Sequence, residues 1–166
     1  MKKLLVGITL IASTGLMAQI TAPQPSPAAK VQQTVGLTDI SIEYSRPSKN
    51  DRVIFGELVP MDEVWRTGAN DATTIEFTSD VKIEGQSLPK GKYALFTIPE
   101  ENEWTIIINK NAKQWGAYSY KQEEDVLRVK VKSQKSAAFN ESLKFEVAND
   151  MVHISWENLM VMFSVK

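Results

Sequence analysis

From Ile40 onward the chain alternates apolar and polar side chains with a period of two, and turn residues repeatedly break the alternation. Ile40, Ile42 and Tyr44 alternate with Ser41, Glu43 and Ser45. Leu127, Val129 and Val131 alternate with Arg128, Lys130 and Lys132, and Leu143, Phe145 and Val147 repeat the pattern. A period of two puts the apolar set on one face of a pleated strand, so each segment must bury that face against another sheet. Turn signals recur about every eight to twelve residues, which leaves no room for helical crossovers. Neighbouring strands must then pair antiparallel. The pattern predicts an all-β fold, an antiparallel β-sandwich of about eight or nine strands.

Individual segments refine this. Thr73 to Thr78 is rich in β-branched and aromatic residues, and Val81 and Ile83 lead into a hairpin turn at Gly85. Leu88-Pro89-Lys90-Gly91 is a second turn, since proline presets the first turn angle. Lys92 to Ile98 is the next strand. Trp104 to Asn109 holds Ile106, Ile107 and Ile108 in succession, as expected of a strand covered on both faces. Asn149-Asp150 turns into Val152, Ile154 and Trp156, and Glu157-Asn158 turns again into a last strand, Leu159 to Val165. Two stretches have no such alternation: a long irregular excursion from Arg46 to Asn70, and the aromatic segment Gln114 to Tyr120. Loops of that size in a compact domain are often functional.

The N-terminus has a different character. Lys2 and Lys3 precede an uncharged apolar run, Leu4 to Met17, and Ala18 offers a small residue before Gln19. This layout predicts a signal peptide over residues 1–18. The run is shorter than the ~20 apolar residues that span a bilayer, so no transmembrane segment is expected in the mature chain. Prolines 23, 25 and 27 then mark an extended spacer over residues 19–29. Residues 30–166 form one β-sandwich domain. The expected location is outside the cytoplasm, periplasmic or secreted. The chain has no cysteine, so a lipid anchor through cysteine is excluded together with disulfides.

Charge and residue supply narrow the chemistry. Nineteen basic and 20 acidic side chains give a net charge of -1, which offers nucleic acid no attractive field. With no cysteine and one histidine, His153, no transition metal and no cofactor are expected. His153 lies between Val152 and Ile154 and so points away from the core, with no nucleophile motif beside it. No Gly-x-Ser-x-Gly elbow, phosphate loop or calcium loop occurs.

Several blocks resemble a known family: Tyr44-Ser45-Arg46-Pro47, Ile54-Phe55-Gly56, Leu58-Val59-Pro60, Val64-Trp65-Arg66-Thr67-Gly68-Ala69-Asn70, Tyr93-Ala94-Leu95-Phe96-Thr97-Ile98-Pro99 and Trp115-Gly116. The chain is similar over nearly all of its mature length to the domain of unknown function 2911 family. The resemblance implies an exported bacterial protein with no assigned activity, and it carries no catalytic residues across.

The functional expectation is a non-catalytic binding or interaction domain of the bacterial envelope, its partner a small molecule, a glycan or a protein. The candidate ligand-binding residues are Arg46, Arg66, Asn70, Trp115 and Tyr118, drawn from a wider set with Tyr44, Arg52 and Trp65. Arginine supplies a planar fork for carboxylates, and the aromatics supply flat faces for rings. The five are expected to meet at one end of the sandwich. The same residues also suit a structural role, arginines binding loop carbonyls and tryptophans plugging the end of the sheet. One alternative is a glycoside-type hydrolase using carboxylates among Glu57, Asp62, Glu63 and Asp71. Another is a structural envelope protein.

Overall fold

The computed structural model describes residues 24–166, so the expected signal peptide lies outside the described residues. The fold is all-β, with antiparallel strands curled into a half-barrel around one main core. The first strand, β1 (Ala28–Val35), begins inside the stretch expected as spacer and pairs with β2 (Thr38–Ser45) through the tip at Gly36. The excursion follows. Then come β3 (Thr74–Phe77), the short hairpin β4 (Val81–Ile83) and β5 (Gln86–Leu88), and the central pair β6 (Gly91–Pro99) and β7 (Glu103–Asn109). Two long strands, β8 (Asp125–Ala148) and β9 (Met151–Ser164), complete the chain. The main sheet runs β1-β2-β3-β6-β7-β8-β9, and β4-β5 stands apart. Among the described residues no helix is long and apolar enough to cross a membrane.

Local chemistry explains the turns. Glu84 and Gly85 both have positive φ, +47° and +81°, as a two-residue hairpin with the right-handed sheet twist requires. Asn149, at φ +56°, closes the β8–β9 hairpin between the paired residues Ala148 and Met151. Glu157 differs from expectation. It does not end a strand: β9 continues through it, with Glu157 at φ +51° as a kink. The strands expected at 127–132 and 143–147 are likewise one bent β8, whose register with β9 shifts between Lys135 and Asn140 and again before Lys144. Bulges of this kind bend a strand without ending its pairing. The bend lets the far half of β8 reach the chain after β2, where Leu143 N–H donates to Pro47 O (2.9 Å) and Lys49 N–H to Glu141 O (2.8 Å). The end of β9 meets β4, Lys82 and Lys166 exchanging backbone bonds of 2.6 and 2.9 Å.

The alternation places Ile40, Ile42, Ile75, Leu95, Ile106, Ile108, Val129 and Ile154 in the main core. Ile107, with Phe96, Ala94 and Ala72, faces the opposite side and forms a second, smaller cluster. Val64, Ala117 and Tyr120 pack against it from the two irregular segments. The run of three isoleucines is therefore covered on both faces, and the cover is loop rather than a third sheet.

The excursion is ordered by its own residues. Trp65 exchanges backbone bonds with Thr97 (2.7 and 2.9 Å) and inserts its indole among Phe55, Trp104 and Trp156. Its Nε1–H donates to Gly68 O at 3.2 Å. Thr67 sits at φ +52°, costly for a β-branched residue. Its hydroxyl lies 3.1 Å from that of Thr97, and its carbonyl accepts from the Thr73 hydroxyl at 2.9 Å. A Cβ on Gly68 would lie 3.0 Å from the Thr73 hydroxyl and 3.1 Å from Ser45 O, so a larger residue would make these neighbours give way where the turn closes on β2.

Candidate functional site

The two irregular segments meet on the outer face of the sheet. Gly116 N–H donates to Asn70 O (3.0 Å), Ala72 N–H to Gln114 O (2.9 Å), and Asp71 bridges Trp115. Asn70 donates its side-chain Nδ2 to Ser45 Oγ at 3.2 Å and Ser26 O at 3.5 Å. Trp115 is 61 % exposed and Tyr118 86 % exposed. The Tyr118 ring lies over Gly116, where a Cβ would come within 2.9 Å of it. Asn70, Trp115 and Tyr118 thus belong to one neighbourhood.

Arg46 and Arg52 turn to other partners. The Arg46 Nε donates to Leu143 O in β8 at 3.1 Å. Arg66 is half-buried, and its Nε is buried with no hydrogen-bond partner among the described residues. Arg52 holds the carbonyls of Lys49 and Ser48. Tyr44 and Trp65 are core residues, Tyr44 packing edge-on to Phe145 with its hydroxyl accepting from Phe145 N–H at 3.2 Å. His153 faces Glu146 across the β8–β9 ribbon.

Beside the aromatic segment lies an open cleft of about 710 Å³. Ala28 to Lys30 of β1 form one wall and Ala112 to Gln114 the other; Ala72 and Thr74 lie between. Glu43, Asp71, Lys92 and Lys113 also line it. Glu43 binds Lys92 at 2.6 Å and Lys30 at 3.1 Å, and these two ammonium groups hold its carboxyl below the usual carboxylate range. A carboxyl held ionised in this way is a poor proton donor at neutral pH. Of the carboxylates expected for a hydrolase, only Asp71 lines the cleft, while Glu57, Asp62 and Glu63 are exposed outside its lining. Among the described residues no group of three or more His, Cys, Asp or Glu is placed to hold a metal ion.

The wall segment is fixed by a polar network that no sequence motif announced. The Asp125 carboxylate, with only 6 % of its side chain exposed, accepts from Tyr120 OH (2.6 Å), Arg128 Nε (2.7 Å) and Asn109 Nδ2 (2.9 Å). Asn109 Oδ1 in turn accepts from Gln114 Nε2 at 3.2 Å. The one available signal was a polar residue ending an isoleucine run: Asn109 is fully buried, at a register shift of the β7–β8 ladder.

Burial, and then the adjacent Asp125 carboxylate, push the Tyr120 hydroxyl up from the ordinary phenol value to about 12. Tyr120 is therefore neutral in the fold over a range where the unfolded chain ionises. Its stabilising effect is complete below the unfolded value and is lost as pH rises through the folded one. Urea midpoints measured between pH 9 and 12 (a window set by roughly those two values) should fall for the wild type. They should fall less for Tyr120→Phe, and identical slopes would contradict the assignment.

Fold and site together define an all-β domain with an open cleft beside an anchored aromatic loop. The family model described as protein of unknown function (DUF2911) matches residues 26–165, and the chain belongs to that family. Comparison with curated proteins and with solved structures finds no match.

Proposed function

We propose that this chain is an exported binding domain of the bacterial envelope, and that its ligand surface is the cleft together with the Asn111–Tyr120 wall. The observation that carries this reading is the contrast within that wall. Gln114 is tied to Asn109, Gly116 to Asn70, and Tyr120 to Asp125, while Trp115 and Tyr118 between them face solvent. Fixing a loop costs conformational entropy, and two large aromatic faces held in water gain little from the fold. A surface ordered in this way binds a partner with less entropy still to lose. Export is supported by the basic and apolar N-terminal layout of the sequence.

The experiment uses the tryptophans. Trp65, Trp104 and Trp156 are buried, so acrylamide quenching reports on Trp115. Soluble fragments from a muramidase digest of bacterial cell wall should protect Trp115 from quenching. Trp115→Ala should abolish retention on immobilised fragments and change stability by no more than about 0.5 kcal/mol, as usual for a surface site. Unchanged quenching with the digest, or a large loss of stability in Trp115→Ala, would count against a ligand surface.

A further inference from the structure

We infer that two copies of this chain associate through β1, the strands pairing antiparallel about a two-fold axis so that the main sheets of the two copies join. β1 ends the main sheet and is bonded along one side only, to β2. The β1–β2 hairpin fixes which backbone groups are left over. Val35 and Thr38 flank a two-residue turn whose first residue, Gly36, has φ +61°, so they form a hydrogen-bonded pair. In an antiparallel ladder such pairs alternate with pairs whose backbone groups turn away from each other. Odd-numbered residues of β1 therefore bond β2, while Ala28, Lys30, Gln32 and Thr34 aim N–H and C=O at the free side. Two observed bonds agree with this phase. Pro27 O accepts from Arg46 N–H at 2.8 Å, and Asp39, opposite Thr34, turns its carbonyl the other way, to Thr78 N–H at 3.2 Å. All four outward residues are exposed. Among the described residues no backbone bond links β1 to any strand but β2. Thr34 O receives the side-chain Nε2 of its exposed neighbour Gln33 at 3.3 Å.

A bare strand edge is a template for another strand. β1 lacks the features that blunt such edges. Its ladder with β2 is free of bulges, no proline interrupts it, and its one charge, Lys30, is drawn sideways to Glu43 at 3.1 Å. The strand is also complementary to itself. Of the two-fold registers that keep outward side chains opposite outward ones, those about Val31 and about Gln32 pair most of the strand. In the first Lys30 faces Gln32 of the second copy, and in the second it faces Thr34, so no like charges meet. Both registers carry Leu37, at the hairpin tip, toward Pro25 and Pro27 of the second copy. Leu37 is 98 % exposed, the most exposed large apolar side chain among the described residues, and both prolines are exposed as well. An unrelated strand would satisfy the edge and leave Leu37 in water, whereas a second copy accounts for both features.

Sedimentation of the purified protein across a concentration series, with no ligand added, should show a monomer–dimer equilibrium. Gln32→Lys sets ammonium groups face to face in either register, on Lys30 or on its own copy, and should weaken the dimer at least about tenfold. Leu37→Asp, at the exposed tip, should also weaken it. The chain has no cysteine, so a nitroxide on Gln32→Cys reports that position alone. Its spectrum should show dipolar coupling to the second copy, and the coupling should vanish on dilution with unlabelled protein. A protein that stays monomeric at every concentration overturns the inference. So does a dimer that Gln32→Lys leaves equally tight, or one whose labels at Gln32→Cys are uncoupled.

Discussion

Trp65→Ala should cost about 3–5 kcal/mol of folding stability, the range for removing a large buried aromatic side chain. Trp65 stacks on Trp156 with ring centroids 6.0 Å apart and meets Trp104 and Phe55 edge-on at 6.1 and 6.4 Å. Removing the indole opens a cavity among three rings too large to collapse into it, and it frees the Gly68 carbonyl that the Nε1–H now holds. The loss extends along the chain, because Trp65 is also the point where the excursion pairs with Thr97 of β6. Urea denaturation would show the midpoint falling steeply, whereas Trp115→Ala barely moves it. A change in Trp65→Ala of under about 1 kcal/mol would mean that the aromatic cluster is not the anchor of the excursion.

Asp125→Ala is expected to cost about 3 kcal/mol, near the lower end for breaking a buried ion pair because Arg128 keeps part of its solvation. The carboxylate is the common acceptor for Tyr120, Arg128 and Asn109, so one substitution unpairs three donors. The consequence reaches the cleft. With Asp125 gone, Asn109 Nδ2 keeps only Lys121 O as its acceptor, and the hold on Gln114 through Asn109 loosens. Hydrogen exchange at the Gly116 amide, which is bonded to Asn70 O, should therefore quicken more than global destabilisation explains. Asp125→Asn retains an acceptor and should lose less. Equal stability of Asp125→Ala and wild type would contradict the network.

Much of the fold was legible because period-two alternation is a direct consequence of strand geometry. Ile40, Ile42, Val129 and Ile154 all face the core as their spacing requires. The strand ends at Asn149-Asp150 and at Glu84-Gly85 followed from the φ preferences of turn residues. Glu157 was misleading for a physical reason: a positive-φ kink and a turn draw on similar residues, and only the partner strand's register tells them apart.

The site was less legible. Trp115, Tyr118 and Asn70 were singled out because they stood in non-periodic segments, and that signal identifies loops well. It does not tell where a long side chain goes. The Arg46 guanidinium turns to Leu143, almost a hundred residues away in sequence, and no local pattern encodes that contact. Most of the cleft's own residues escaped notice for the opposite reason. Lys30 and Glu43 occupy the polar half of an alternating pattern and read as ordinary solvated positions, while Gln114 acquires its meaning only through Asn109 and Asp125.

The most direct test is a high-resolution crystal structure of the protein isolated from its native envelope. The predicted result is a ligand retained in the cleft and in contact with the segment that carries Trp115. A cleft closed by neighbouring side chains, with no ligand retained, would contradict the account.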